Sequence, residues 1–326
     1  MRKFIFVFLV SILCIFFCSS CSDSFFPHGE QKAVVMVVGL DYSPKGLGTT
    51  SLKWGGYNVP KLNATLNDSK ELAAAIDSLY YDRNVQHDMV VMLSEGNNPD
   101  YLDPFYPSDI NIINMIGNLE LDEDDLFVFY FAGHGFLKDS ELNLITGEYY
   151  QGALCSSLKA SKLLDSIRSL KCRSVVILDA CYSGAFDPKN SSTPESFLSS
   201  LKNTFEERIV VEENNKVSVL ASAKWNEQSW EGYNILFNDG SSEQHGQFSA
   251  RLLDVLGWNH SNTKIMEVVN ANGDKIIANG YPGRINGSLS LDDIYTKIYD
   301  LRVFPSIKQN HVLYYTNESI NLIPRN

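Results

Sequence analysis

The sequence predicts an α/β protein built on a mainly parallel six-stranded sheet with helices on both faces. Three observations carry this. Short, wholly apolar runs such as Ala33–Gly39 (AVVMVVG) have the pattern of strands buried on both faces. Segments with helical spacing of apolar residues lie between them, and strands alternating with helices imply parallel pairing. The 326 residues are 44% apolar and only 20% charged, enough for a sizeable core and unlike a disordered chain. With 39 acidic and 27 basic residues the net charge is −12, which argues against a surface that coats nucleic acid. Six cysteines are too few for a disulfide scaffold of this size.

The elements follow in order. After the first strand, Leu66–Leu79 places Leu66, Leu72, Ala75 and Leu79 on one side of a helix. Met89–Leu93 is a second strand. Asp109–Leu119 is a helix with Ile110, Ile113 and Ile116 spaced for one face. Leu126–Phe131 (LFVFYF) is a third strand, Leu163–Leu170 a helix and Ser174–Leu178 a fourth strand. Phe197–Phe205 is read as helical, Val217–Leu220 as a fifth strand, Phe248–Leu256 and Ile294–Leu301 as helices, and Val312–Tyr315 as a last strand. No internal repeat is apparent. Polar residues 186–196 join the fourth strand to its helix, and the Asn- and Gly-rich stretch 259–287 reads as an insertion.

The first twenty residues read as an address. Arg2 and Lys3 precede the apolar run Phe4–Phe17, and small residues follow, which is the export-signal pattern. The run is short for a stable span, which needs about 20 residues. Ser19-Ser20-Cys21 is similar to a bacterial lipoprotein signal, with Cys21 as the lipid-bearing residue, although Cys18 stands where such signals usually carry Leu. Ordinary secretion and an uncleaved anchor are the other readings. The lipoprotein reading implies attachment in the bacterial cell envelope, with residues 21–32 as a tether. Cys155, Cys172 and Cys181 then remain in the folded part, and an odd count leaves at least one thiol unpaired.

Sites in open α/β sheets lie beyond the carboxyl ends of the strands. The third strand runs into Phe131-Ala132-Gly133-His134-Gly135, and the fourth into Asp179-Ala180-Cys181-Tyr182-Ser183-Gly184. If these strands are neighbours, an imidazole and a thiol meet at one rim. A thiol needs a base or nearby positive charge to become a nucleophile, and His134 can serve as that base and protonate the leaving amine. The backbone N–H groups of Gly135 and Cys181 can face a developing oxyanion. Flanking glycines allow a sharp turn and close approach of a substrate. A lone strand-end Cys is more often structural, so it is the pairing with His134 that makes the case.

The two motifs resemble those of the caspase-like cysteine peptidases, with the metacaspase and orthocaspase branch nearer than the animal caspases. The similarity extends through Gly39-Leu40-Asp41-Tyr42, Asn67-Asp68, Leu220-Ala221-Ser222-Ala223, Ser229-Trp230-Glu231 and His245-Gly246-Gln247-Phe248. It implies a three-layer caspase-like sandwich over about residues 33–318: a large portion to 184, a linker over 185–215 and a small portion from 216. It also implies peptide-bond hydrolysis through a thioester, with Cys181 and His134 as the dyad. Asp179, and with it Asp68, matches acids of a pocket that takes Arg or Lys. A loop-tying role for Asp179 and compensation of the helix N-terminus by Asp68 are the structural alternatives.

The chain departs from the family pattern at Ala132, where Ser is frequent, and this removes one polar group from the pocket. Calcium-dependent relatives carry an acidic cluster between the motifs. Leu154-Cys155-Ser156-Ser157 stands in that region, so no metal or cofactor is expected. Asp122–Asp125 reads as a solvated loop. No H-E-x-x-H, P-loop or G-x-S-x-G is present, and Gly46-Leu47-Gly48 is only a fragment of a phosphate loop. Lys189, Lys202 and Arg208 after Cys181 are candidate self-processing sites. The expected partner is a polypeptide substrate. The alternative reading is a caspase-like binding or scaffold module with little or no turnover.

Overall fold

The computed structural model describes residues 31–44, 51–94, 102–138, 141–149, 154–180, 216–223, 229–300, 309–314 and 320–324. The export segment, Cys21, Cys181, the residue 186–196 and 185–215 segments, the Phe197–Phe205 helix with Lys189, Lys202 and Arg208, and the Gly46-Leu47-Gly48 fragment lie outside the described residues. No helix among the described residues is long and apolar enough to cross a membrane.

The central sheet has six strands: β1 (Lys32–Leu40), β2 (Gln86–Ser94), β3 (Leu126–Gly133), β4 (Arg173–Ala180), β5 (Val217–Ala221) and β6 (Val312–Tyr314). Their order is β6-β5-β4-β3-β1-β2. All pairs are parallel except β5 with the short edge strand β6. The chain passes from β1 outward to β2 and then returns to place β3 on the other side of β1. The switch point of the topology is therefore between β1 and β3, where α/β proteins open a crevice.

Alternation along the strands feeds two cores. Phe127, Phe129 and Phe131 of β3 point to one face with Val34, Met36 and Val38 of β1. There they meet α2 (Asp109–Gly117) and α3 (Ala160–Arg168). Val128 and Tyr130 point to the other face with Val35 and Val37, and meet α1 (Thr65–Asp82), α4 (Gln247–Val255) and α5 (Leu291–Asp300). This is the predicted three-layer arrangement.

Helix α1 lies close on the sheet because its middle is made of Ala73, Ala74 and Ala75. Contact at its start is closer still. A Cβ on Gly39 would come within 2.2 Å of Ser69 Oγ, and Thr65 Oγ1 donates to the carbonyl of Leu40 at 2.6 Å. The helix has no side-chain cap of its own. The carboxylate of Glu231 accepts from the amides of Asn63 and Ala64 instead, at 3.1 and 2.9 Å, and puts a negative charge at the positive end of the helix.

Short strands beside the core extend the sequence reading. Strands 57–59, 52–54, 154–159, 141–149 and 135–138 form a second sheet in that order. Strands 231–236 and 242–246 form a hairpin. The 259–287 stretch folds onto the body. Its hairpin, Ile265–Val269 with Lys275–Asn279, carries Asn270 at its turn. The Asn270 side chain accepts from Val91 N at 2.6 Å and donates to Val91 O at 3.1 Å, and Ala271 N donates to Met89 O. This stretch thus covers the outer edge of β2, which would otherwise present unpaired backbone groups. In the 122–125 loop, Asp122, Glu123 and Asp124 are exposed as expected, and Asp125 is the exception. Asp125 is buried, and its carboxylate accepts from Lys32 N and Asp122 N at 2.8 Å each, tying β1 to the start of β3.

Candidate active site

His134 leaves the carboxyl end of β3 at the switch point and is buried. The site is assembled by Tyr42, two residues past β1. The Tyr42 hydroxyl accepts from His134 N at 2.8 Å and donates to the Ile145 carbonyl at 2.7 Å, while Ile145 N donates to His134 O at 2.9 Å. Tyr42 holds a left-handed backbone (φ +55°), unusual for a bulky residue, and these bonds offset its cost. Gly133 is required by closeness rather than by a turn. Its φ lies outside the left-handed region, and a Cβ there would sit 2.3 Å from the Tyr42 hydroxyl and 3.0 Å from the Phe131 ring.

The imidazole packs beside Tyr42 and Phe136, with ring centroids 4.7 and 5.8 Å away. Its Nε2 lies 2.8 Å from the carbonyl of Pro60. A carbonyl only accepts, so Nε2 carries the hydrogen and Nδ1 keeps the lone pair. Burial pushes the His134 pKa down to about 4, partly opposed by the Pro60 contact, so the ring is neutral at neutral pH. Strands β3 and β4 are neighbours. Ala132 pairs with Asp179 and Gly133 with Ala180, the residue before Cys181. Gly135 follows His134 directly and opens strand 135–138, where it pairs with Leu144.

Asp179 and Asp68 come together, although 111 positions separate them in the chain. Asp179, near the end of β4, accepts from Ser229 Oγ at 2.6 Å and from Ser249 Oγ in the first turn of α4. Ser249 also hydrogen-bonds the Tyr130 hydroxyl at 2.7 Å. Asp68, in the first turn of α1, accepts from Gly246 N at 3.0 Å and lies 2.8 Å from His245 Nδ1. It sits in the first turn of its own helix and also reaches across to another element. Burial raises both carboxyl pKa values, and the charge of Asp179 raises that of Asp68 further. Asp179 is stabilised against this by its serine donors. A polar cleft of about 690 Å³ lined by Asn63, Asn67, Gln244 and Asn279 lies nearby; His134, Asp179 and Asp68 do not line it.

The caspase-domain family model matches residues 52–280, well over half of the chain. The chain belongs to the caspase-domain family. No curated protein matches it. Among solved structures it is similar to protein GSU0716 from Geobacter sulfurreducens, at 16% identity over 88% of this chain and 95% of that one, with a TM-score of 0.49. The tetrameric inhibited form of phosphofructokinase-2 from Escherichia coli matches at 11% identity over 59% of this chain and 73% of that one, with a TM-score of 0.19.

Within this caspase domain the structure supplies residues that the motifs did not mark. Ser249 and Pro60 lack any local signal: a helix-start serine and a loop carbonyl become partners only when distant elements meet. Ser222 and Ser229 stood in segments similar to the family; Ser229 Oγ donates to Asp179, and Ser222 Oγ donates to the neighbouring Ala180 carbonyl at 3.4 Å. Gln309 joins this group, donating to the Ser222 carbonyl and to Ser229 Oγ while accepting from Trp230 N. Tyr42 carried one readable clue, since it follows a buried strand as His134 does.

Proposed function

We propose that this caspase-domain protein is a cysteine endopeptidase of the metacaspase and orthocaspase type that cleaves after Arg or Lys. One observation carries the substrate preference: two buried carboxyl groups, Asp179 and Asp68, converge beside the strand end that leads to Cys181. A basic side chain needs a paired charge when it leaves water, and charge-assisted bonds to a guanidinium contribute more than neutral ones.

In this reading Cys181 is the nucleophile. Its sulfur attacks the scissile carbonyl carbon as the thiol proton passes to the neutral imidazole of His134. The backbone N–H groups of Gly135 and Cys181 stabilise the oxyanion. The C–N bond then breaks, and His134 protonates the leaving amine, giving a thioester. Water attacks the thioester with His134 as base. The peptide acid leaves, and the proton returns to sulfur. The neutral imidazole, its Nε2 hydrogen directed to Pro60, supports this role.

We further propose that Cys21 carries a lipid anchor in the bacterial cell envelope, that residues 33–318 are the peptidase unit, and that no metal takes part in the chemical step. Cleavage in 185–215 accompanies activation in this reading. Replacing Cys21 by Ser should move the protein from the membrane to the soluble fraction; unchanged partitioning sinks the anchor.

The main experiment compares fluorogenic peptides ending in Arg, Lys, Asn or Asp, with and without calcium, beside Cys181→Ala. Turnover after Arg or Lys that vanishes in the variant supports the assignment. Cleavage only after Asn or Asp would overturn the pocket. No turnover by folded, processed protein would favour the binding-module reading.

A further inference from the structure

A second cluster of ionisable groups adjoins Asp68. Glu71 sits one turn along α1 from Asp68, so both carboxylates project from one helical face. His245 is on the strand Ser242–Gly246, and His260 follows Trp258-Asn259 at the start of the insertion. Glu71 and His245 are buried at 1% and 0% exposure. One ligand atom from each of Glu71, His245 and His260 lies within 4.8 Å of the others. Glu71 Oε2 is 2.7 Å from His260 Nδ1 and 3.7 Å from His245 Nε2.

Among the described residues, these polar atoms are left over. Both oxygens of Glu71, His245 Nε2 and His260 Nδ1 are shielded from solvent and make no hydrogen bond of acceptable geometry. Glu243 Oε2, two residues before His245 and therefore on the same strand face, is unpaired as well. Each such atom costs about 1–3 kcal/mol in a packed interior. Two imidazoles and a carboxylate crowded together without hydrogen bonding is unfavourable for protein groups alone, and is the arrangement expected around a cation.

We propose that Glu71 Oε2, His245 Nε2 and His260 Nδ1 form a zinc site, with water in the fourth position. Two nitrogens and a carboxylate oxygen suit this borderline cation. Ligand atoms at about 2.1 Å in a tetrahedron stand about 3.4 Å apart, between the 2.7 and 3.7 Å separations found. The supporting bond is already present. His245 Nδ1 lies 2.8 Å from Asp68 Oδ1, and the carboxylate accepts its hydrogen. This directs the Nε2 lone pair toward Glu71 and His260, as a metal-ligating histidine requires. The site joins the insertion to α1 and to the hairpin through one ion, and it fixes the orientation of Asp68 from behind.

The test is metal binding, independent of peptidase activity. The full chain carrying Cys181→Ala, which removes the thiol as a competing ligand, is loaded with zinc, passed over a desalting column and assayed for metal. One equivalent per chain is expected, with cobalt substitution giving the intense visible absorption of a tetrahedral ion. His260→Ala and Glu71→Gln in that background should lose both signals, and Asp68→Asn should weaken binding about 10- to 100-fold. Protein that is folded by circular dichroism yet retains no zinc would overturn the proposal. So would a full equivalent retained by His260→Ala.

Discussion

Asp68 and Asp179 converge on the Cα of Gly246. A methyl group there would lie 3.1 Å from an oxygen of Asp68 and 2.8 Å from one of Asp179. The carboxylates come from α1 and β4, and the glycine comes from the hairpin strand that leads into α4. A side chain at 246 would crowd both carboxylates.

If the proposed acidic pocket takes a basic side chain, Gly246→Ala is expected to obstruct it. In steady-state assays on Arg peptides kcat/KM should fall about 100-fold, by loss of a charge-assisted contact of about 1.5–3 kcal/mol together with steric exclusion. A variant as active as the parent would show that the substrate's basic group binds elsewhere.

Tyr42→Phe removes one oxygen that serves two backbone groups. His134 N–H loses its acceptor and the Ile145 carbonyl loses its donor. Stability should fall by about 1–3 kcal/mol in urea titration. Because the backbone that carries the imidazole shifts, kcat should fall about 10-fold or more while KM changes little.

His134 should make folding sensitive to mild acid. Its pKa is about 4 in the folded protein against an ordinary 6.5. The unfolded chain therefore binds more protons between these values, and stability rises with pH across that window. The contribution is full above about pH 6.5, is lost as pH falls toward 4, and amounts to about 3 kcal/mol. The ring faces Tyr42, Phe136 and the Pro60 carbonyl. Unfolding midpoints measured from pH 4 to 7 should show a steeper slope in the parent than in His134→Phe. Parallel slopes would contradict the assignment.

Asn270→Ala should open the edge of β2. Two side-chain bonds to Val91 are lost, for a destabilisation of about 1–3 kcal/mol. Light scattering at intermediate denaturant should rise as the strand edge becomes available to other chains. Equal scattering by parent and variant would show that the rest of the insertion covers the edge without Asn270.

Much of the central layer was legible because strands buried on both faces must be apolar without interruption. The inner strands were readable this way, the short edge strand β6 only as a brief apolar run, and the ends of β3 and β4 then marked His134 and the approach to Cys181. The second sheet was not legible. Leu52–Trp54 and Tyr57–Val59 have only three residues each, and the nine-residue Glu141–Tyr149 interleaves polar residues with apolar ones, so no long apolar run marks them. The role of the Asn- and Gly-rich 259–287 stretch was not legible either: Asn270 is buried because its side chain completes a strand edge.

The sequence by itself determined the α/β class, the order of the elements and the two strand-end motifs, since these depend on periodicity and on residues adjacent in the chain. Tertiary structure decided what depends on packing between distant segments. It set Tyr42 under His134, Asp68 against Asp179 across Gly246, and Glu71 beside His245 and His260. Carboxylates and imidazoles are common along any chain. What distinguishes these is the surrounding burial and the partners within reach, and both come into being only when α1, β4, the hairpin and the insertion pack together.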